Sequence, residues 1–193
     1  MSLNTPSLIF SVSNSLRKML STHLGIAEAD IRFDSLGELT NIPATGLSMF
    51  LYRIAENPHL KNIDSGQSYY MNPILLQKPP IALDLYYLMA PFGNSEQRLV
   101  TLENIIQFFH SNPVINEVSL SPEVLESGNK EIKILMNDIT VEQLNSLWNM
   151  FPNTQYRPII SYLLSPLLIN PTIPSDATAP RVLTGNFTYV DKD

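Results

Sequence analysis

Cysteine is absent from the 193-residue chain, so neither a disulfide framework nor a thiolate metal site is available, which fits a reducing compartment. Glycine is scarce: with seven in all, there is no Gly-x-Gly-x-x-Gly and no P-loop to cradle a phosphate. Gly46-Leu47-Ser48 starts like a nucleophile elbow but lacks the second glycine. The three histidines, His23, His59 and His110, are scattered without an i+4 ligand partner, so no metal or other cofactor is expected. Charge is also sparse, at 16% of residues against the roughly 25% usual for a soluble domain. A low-charge surface suggests that other chains cover part of it. Twelve basic against eighteen acidic residues give a net charge of -6, and no basic cluster exceeds Arg17-Lys18, which argues against nucleic acid. The longest apolar run, Ile159 to Ile169, is interrupted by two serines and a proline and falls short of the ~20 residues of a membrane helix, so no membrane partner is expected. Met-Ser-Leu-Asn-Thr-Pro carries no basic region followed by an apolar one, and the chain is expected to be made in the cytoplasm.

What is present is organised around residues 79 to 92, an apolar run bracketed by prolines with Asp84 at its middle. Pro79, Pro80 and Pro91 cannot donate to a ladder, so they delimit about eleven pairable residues, Ile81 to Pro91. Ile81, Leu83, Leu85, Tyr87 and Met89 share one face of this strand, and Ala82, Asp84, Tyr86, Leu88 and Ala90 the other. Both faces are mostly apolar, which predicts a position in mid-sheet.

Leu8, Ile9, Val12, Leu16, Met19, Leu20 and Leu24 form a helical stripe after Thr5 as N-cap and Pro6, with Gly25 as the stop. A short strand is predicted over Asp30 to Leu36, amid the acidic residues Glu28, Asp30, Asp34 and Glu38, whose spacing is not that of a calcium loop. A second strand is predicted over Gly46 to Ala55, with Ser48, Phe50, Tyr52 and Ile54 on one side and Leu47, Met49, Leu51 and Arg53 on the other. His59 to Lys78 reads as a long polar loop. Asn94 with Gln97 forms a capping-box pair opening a helix that buries Leu99, Leu102, Ile105, Ile106 and Phe109 and stops at Asn112-Pro113. A short strand is predicted at Glu117 to Leu120 and another at Lys130 to Met136. Thr140 and Gln143 cap a second box helix carrying Leu144, Leu147 and Trp148, closed by Pro152. Trp148 reads as a core residue. Ile159 to Ile169 is the last strand, with Pro166 pointing to an edge or bulged position. Together these predict one α/β (α+β) domain over 1–169, a mixed, largely antiparallel sheet flanked by helices, with a Pro-rich tail over 170–193.

A buried carboxylate either has a shifted pKa and works as an acid or base, or pairs with a cation or backbone donors. Arg53, on the neighbouring predicted strand, is the expected partner of Asp84, and pairing outweighs catalysis. A small-molecule-binding or enzymatic domain using Asp84, Arg53 and Tyr86 is the alternative.

Several segments in order resemble the tail-terminator, or cap, family of extracellular contractile injection systems of the antifeeding-prophage and virulence-cassette type. They are Leu51-Tyr52-Arg53-Ile54 with Asn57-Pro58, then Pro79-Pro80 with Leu83-Asp84-Leu85 and Tyr87-Leu88. There follow His110-Ser111-Asn112-Pro113-Val114, Leu144 with Leu147-Trp148, and Tyr156-Arg157-Pro158 leading to Ser161-Tyr162. Thr101 departs from the pattern, standing where many relatives carry glycine. The resemblance implies a phage tail-terminator-like fold, assembled as a hexameric ring on the end of an inner tube and sheath, with no bond chemistry. It implies homo-oligomer, tube-protein and sheath-protein contacts in an extracellular particle. Structural or interface roles then fall to Arg53, Asp84, Tyr86, Tyr87, Trp148 and Tyr162. The sheath is expected to add a strand at a free edge, for which Ile159 to Ile169 is the candidate. A generic tail-completion or adaptor protein shares the ring but differs in partners.

Overall fold

The computed structural model describes residues 7–38, 44–61, 80–151 and 154–170. The expected Thr5 cap with Pro6, the greater part of the 59–78 loop, the closing Pro152 and the tail after Asn170 lie outside them. In chain order the elements are α1 (Leu8–Leu24), β1 (Ile31–Arg32), β2 (Gly46–Glu56), β3 (Ile81–Phe92), α2 (Ser95–Ser111), β4 (Val114–Ile115), α3 (Pro122–Glu126), β5 (Ile132–Asn137), α4 (Val141–Asn149) and β6 (Ile160–Ile169).

Local chemistry sets most boundaries. The Phe10 N–H, 3.5 Å from Ser7 Oγ, donates to it, so Ser7 and not the expected Thr5 caps α1, which starts at Leu8; Gly25 ends the helix at φ 64°, where a Cβ is disfavoured. Asn94 with Gln97 and Thr140 with Gln143 form complete capping boxes on α2 and α4, as their spacing predicts. Of the expected α2 stripe, only Leu102, Ile105 and Phe109 are buried, while Leu99 and Ile106 are exposed. The strand predicted at Asp30 to Leu36 shortens to β1, which follows one turn of 3-10 helix at Glu28–Asp30. The strand predicted at Glu117 to Leu120 is a turn: the Ser119 and Leu120 N–H groups both donate to the Asn116 carbonyl. The pairing falls instead on Val114–Ile115, and α3 follows with Pro122 in its first turn. Ser121-Pro122-Glu123 is the local signal for this helix start, with Pro122 at its first position.

All six strands form one sheet in the order β1-β2-β3-β6-β5-β4, with β1 parallel to β2 and the other pairs antiparallel. The apolar run at 81–92 is therefore central, between β2 and β6. One face lies under α1, α2 and α3, where Val12, Leu16, Leu20, Ile105, Phe109 and Val124 pack on Leu85, Tyr87, Met89 and Leu164. α4 covers the Phe92 end of the other face, bringing Leu147 and Phe151 against Leu36, Leu88 and Ala90.

Two expectations about the sheet are corrected by its register. β6 is not an edge strand: it pairs with β3 on one side and β5 on the other. Pro166 is accommodated by a bulge, because Leu83 opposes Leu167 and Leu85 opposes Leu164, leaving Ser165 and Pro166 opposite Asp84 alone. The edges are the two-residue strands β1 and β4, and β1 pairs β2 only at Leu47 and Ser48. Among the described residues, the outer side of β2 past Ser48 carries no ladder.

Candidate functional site

The second correction concerns Arg53 and creates the most chemically distinct surface of the sheet. Leu51 stands opposite Tyr87 and Arg53 opposite Tyr86, so Tyr52 is an extra residue in β2. A bulge inverts the alternation beyond it. Strict alternation places Arg53 with Leu47, Met49 and Leu51 beneath the helices. The bulge instead carries it to the face of Phe50 and Tyr52, where a cation remains in contact with water. There the guanidinium carbon lies 4.9 Å from the centroid of the Tyr86 ring, a cation–π contact. The Tyr52 ring meets Tyr86 edge-on at 6.2 Å.

Asp84 lies two residues from Tyr86 on the same face, opposite Ala55 and 7% exposed. Its partner is not Arg53. Asp84 Oδ1 accepts from Ser165 Oγ at 2.6 Å and from Asn57 Nδ2 at 2.9 Å, and Asn57 Nδ2 also reaches Ser165 Oγ at 3.1 Å. The bulge in β6 is what presents Ser165 to the carboxylate, and the Asn57 turn ending β2 supplies the amide. Asn57 Oδ1 is used in turn, accepting the His59 N–H at 2.9 Å. This polar cluster ties β2, β3 and β6 together with short neutral donors, so no buried cation is needed. Asn57 belongs to this cluster and was not singled out from sequence; its place in Asn57-Pro58, directly after a strand, is the signal that marks it.

A second cluster continues across the same face. Asn137 Nδ2 donates to Tyr52 Oη at 3.1 Å and to Ser161 Oγ at 3.2 Å, and the Tyr52 and Ser161 hydroxyls are 3.1 Å apart. The face between the polar clusters is half-buried aromatic and aliphatic surface from Tyr52, Tyr86 and Leu163, and Leu135 on β5 is 49% exposed.

The other three residues singled out from sequence lie elsewhere. Tyr87 is fully buried beneath α1, with its hydroxyl 2.6 Å from Ser13 Oγ. Burial pushes its pKa up to about 12, and the Ser13 hydroxyl, which can turn to donate to a phenolate, opposes the rise. Tyr162 packs edge-on against Phe109 at 4.6 Å between ring centroids, and burial raises its pKa as well. Trp148 is half-buried on α4, edge-on to Phe151 at 6.5 Å and tilted against Tyr156 at 5.3 Å. Arg53, Asp84 and Tyr86 thus share one face, while Tyr87, Tyr162 and Trp148 serve packing.

Chemically, the shared face offers a hydrogen-bonded carboxylate, an arginine on an aromatic ring and apolar surface. None of its three residues lines the cavity of about 260 Å³ that opens beside α1, whose walls include Ile9, Phe10, Phe33, Met49 and Leu51. Among the described residues, no three His, Asp or Glu side chains come together in a way that could hold a metal ion. No described helix is long and apolar enough to cross a membrane.

A single mixed sheet with helices packed on both of its faces gives the chain an α+β architecture. The Pvc16 N-terminal domain family model matches residues 11–183, and the chain belongs to that family. Its fold is similar to a solved sheath/tube terminator of the PVC extracellular contractile injection system in the extended state. That likeness has a TM-score of 0.64 at 20% identity over 99% of this chain and 65% of that one. It is also similar to the tube-terminating cap of the anti-feeding prophage, with a TM-score of 0.61 at 17% identity over 92% of this chain and 60% of that one. The chain thus spans less than two thirds of the length of either. No curated protein matches the sequence.

Proposed function

We propose that this chain is the terminator domain of a contractile injection particle, forming a ring that caps the inner tube and sheath and ends their polymerisation. The observation that carries the reading is the family match across residues 11–183, together with a terminator fold in the two solved structures. The role is geometric and involves no bond chemistry. A cap matches the last tube ring with one surface and offers no equivalent surface to the next. A closed ring, hexameric in this reading, needs a heterologous contact in which two different patches of the same subunit meet. The low overall charge and the apolar, exposed stretches on β5 and α2, including Leu135, Met136, Leu99 and Val100, suit such contacts. The particle is extracellular, and its assembly takes place in the cytoplasm. The small-molecule alternative draws no support from a face where Asp84 is engaged by Asn57 and Ser165.

The test is co-expression with tube and sheath proteins encoded beside it, followed by electron microscopy. Particles of uniform length with ring density at one end are expected. Tubes of uncontrolled length without density from this chain at their ends overturn the reading.

A further inference from the structure

The half of the sheet face that α4 leaves open is a layer without a cover among the described residues. Its middle is one cross-strand row: Arg53 on β2 opposes Tyr86 on β3, Tyr86 opposes Leu163 on β6, and Leu163 opposes Leu135 on β5. The row spans three strand spacings, about 14 Å. Tyr86 and Leu163 are half-buried, and Leu135 is exposed. Lys133, two residues before Leu135 on the same strand, shares its face. Within the strands, the charged side chains of this open half are therefore Asp84, held by Asn57 and Ser165, and two cations, Arg53 towards one edge and Lys133 towards the other. Neither cation makes an ion pair among the described residues, where the pair found joins Lys61 to Glu56. A sheet face with this much apolar surface is normally covered by a helix or a second sheet.

A helix face of complementary character lies on the far side of the subunit. α2 packs on the sheet through Leu102, Ile105 and Phe109 and turns its other side outward. There Leu99 and Val100 are 59% and 56% exposed, and Ile106 is exposed as well. Leu99 and Ile106, seven residues apart, stand in one line along the helix, and Glu96 and Glu103 stand in the line beside it, about 10 Å apart. Gln107 Nε2 donates to Glu103 Oε1 at 3.1 Å, and no cation pairs with either carboxylate among the described residues.

We infer that the outer face of α2 docks on the open half-sheet of a second copy of this chain. Leu99, Val100 and Ile106 then lie on Tyr86, Leu163 and Leu135, and Glu96 and Glu103 meet Arg53 and Lys133. The apolar contact removes exposed side chains of both patches from water, and the four charges, two of each sign, set the orientation. The patches lie on opposite sides of one subunit and differ in kind, so every copy offers both and the contact is heterologous, as a ring requires. This contact rests on the ring reading and gives it the seam between neighbouring subunits.

The four charged side chains are all exposed, so their signs can be exchanged without touching the core. Arg53→Glu with Lys133→Glu, and separately Glu96→Lys with Glu103→Lys, should each weaken self-association of the chain at least ~10-fold in sedimentation velocity, with the circular-dichroism spectrum unchanged. Mixed in equal amounts, the two variants should associate as the wild type does, because each then faces a patch of opposite sign. The absence of cysteine allows a second measure: mild oxidation of a mixture of Leu99→Cys and Leu135→Cys chains should join them in a covalent heterodimer. A chain that sediments as a monomer, association indifferent to either reversal, a mixture that does not recover, or no heterodimer on oxidation overturns the inference. So does loss of tube or sheath attachment in a reversed variant that still self-associates, since the open half-sheet then serves another protein. Recovered association in chains that leave tube length uncontrolled would remove the cap reading and keep this contact. Uniform capped tubes from either reversed variant alone would do the opposite.

Discussion

The hydroxyls of Ser13 on α1 and Tyr87 on β3 lie 2.6 Å apart in the interior, joining the first helix to the central strand at a point closed to water. Ser13 Oγ also donates to the Ile9 carbonyl at 2.7 Å, so its single proton is committed and Tyr87 is the donor in the contact between them. The two halves of the pair are therefore unequal. Tyr87→Phe leaves Ser13 bonded to Ile9 and should cost about 0.5–1.5 kcal/mol, the net worth of one hydrogen bond. Ser13→Ala strands a buried phenol and should cost about 1–3 kcal/mol. Urea unfolding of both variants checks the order, and a larger loss for Tyr87→Phe would count against the assigned donor.

The same phenol makes stability depend on alkali. Its folded pKa of about 12 lies above the ordinary value of 10.0, so from pH 10 upward the unfolded chain releases the proton while the folded one holds it. The unfolded state then binds fewer protons, and stability falls as pH rises. The contribution is fully present below pH 10 and is lost by about pH 12, roughly 2–3 kcal/mol across two units. Tyr162, raised in the same direction, adds to the slope. Denaturant midpoints of the wild type and Tyr87→Phe should converge above pH 10 and cross before pH 12, because a loss of roughly 2–3 kcal/mol exceeds the about 0.5–1.5 kcal/mol by which the wild type starts ahead; parallel curves would remove Tyr87 from the explanation.

Asp84 and Arg53 share a face without being partners, and their substitution should separate them. Asp84→Ala leaves Ser165 and Asn57 without their acceptor at a buried site and should cost about 1–3 kcal/mol. Arg53→Gln removes a cation–π contact at an exposed position and should cost at most about 1 kcal/mol. In a double-mutant cycle the two effects should add to within about 0.5 kcal/mol, whereas a direct ion pair gives coupling beyond that.

These cases mark what the residues alone make legible. The central strand, the α1 stripe, both capping boxes and the bulge at Pro166 follow from local patterns: proline brackets, apolar period and a fixed three-residue offset. What local patterns do not carry is insertion into a ladder. Nothing in Leu51-Tyr52-Arg53 announces that Tyr52 is an extra residue, because the cost and benefit of a bulge depend on what β3 places opposite. The faces of Arg53 and Ile54 were exchanged for that reason, and the Asp84 partner with them. The interior place of β6 was hidden likewise, since its proline is accommodated by β3 and by the end of the β5 pairing, both distant in sequence.

The turn between β3 and α2 offers a test of how tightly one residue is fixed by its neighbours. Gly93 sits at φ 123°, and a Cβ built there meets Gln97 Oε1 at 2.8 Å. That oxygen accepts the Asn94 N–H at 3.0 Å, closing the box in which Asn94 Oδ1 accepts the Gln97 N–H at 2.8 Å. Gly93→Ala thus imposes both backbone strain, of order 1–3 kcal/mol, and displacement of the capping side chain. Gln97→Ala alone loses one capping bond, about 0.5–1.5 kcal/mol, and frees the space that the new Cβ needs. Gly93→Ala should therefore cost less in the Gln97→Ala background than in the wild type, by at least about 0.5 kcal/mol in a urea-unfolding cycle. Strict additivity would mean that backbone strain alone, and not the capping box, keeps glycine at this turn.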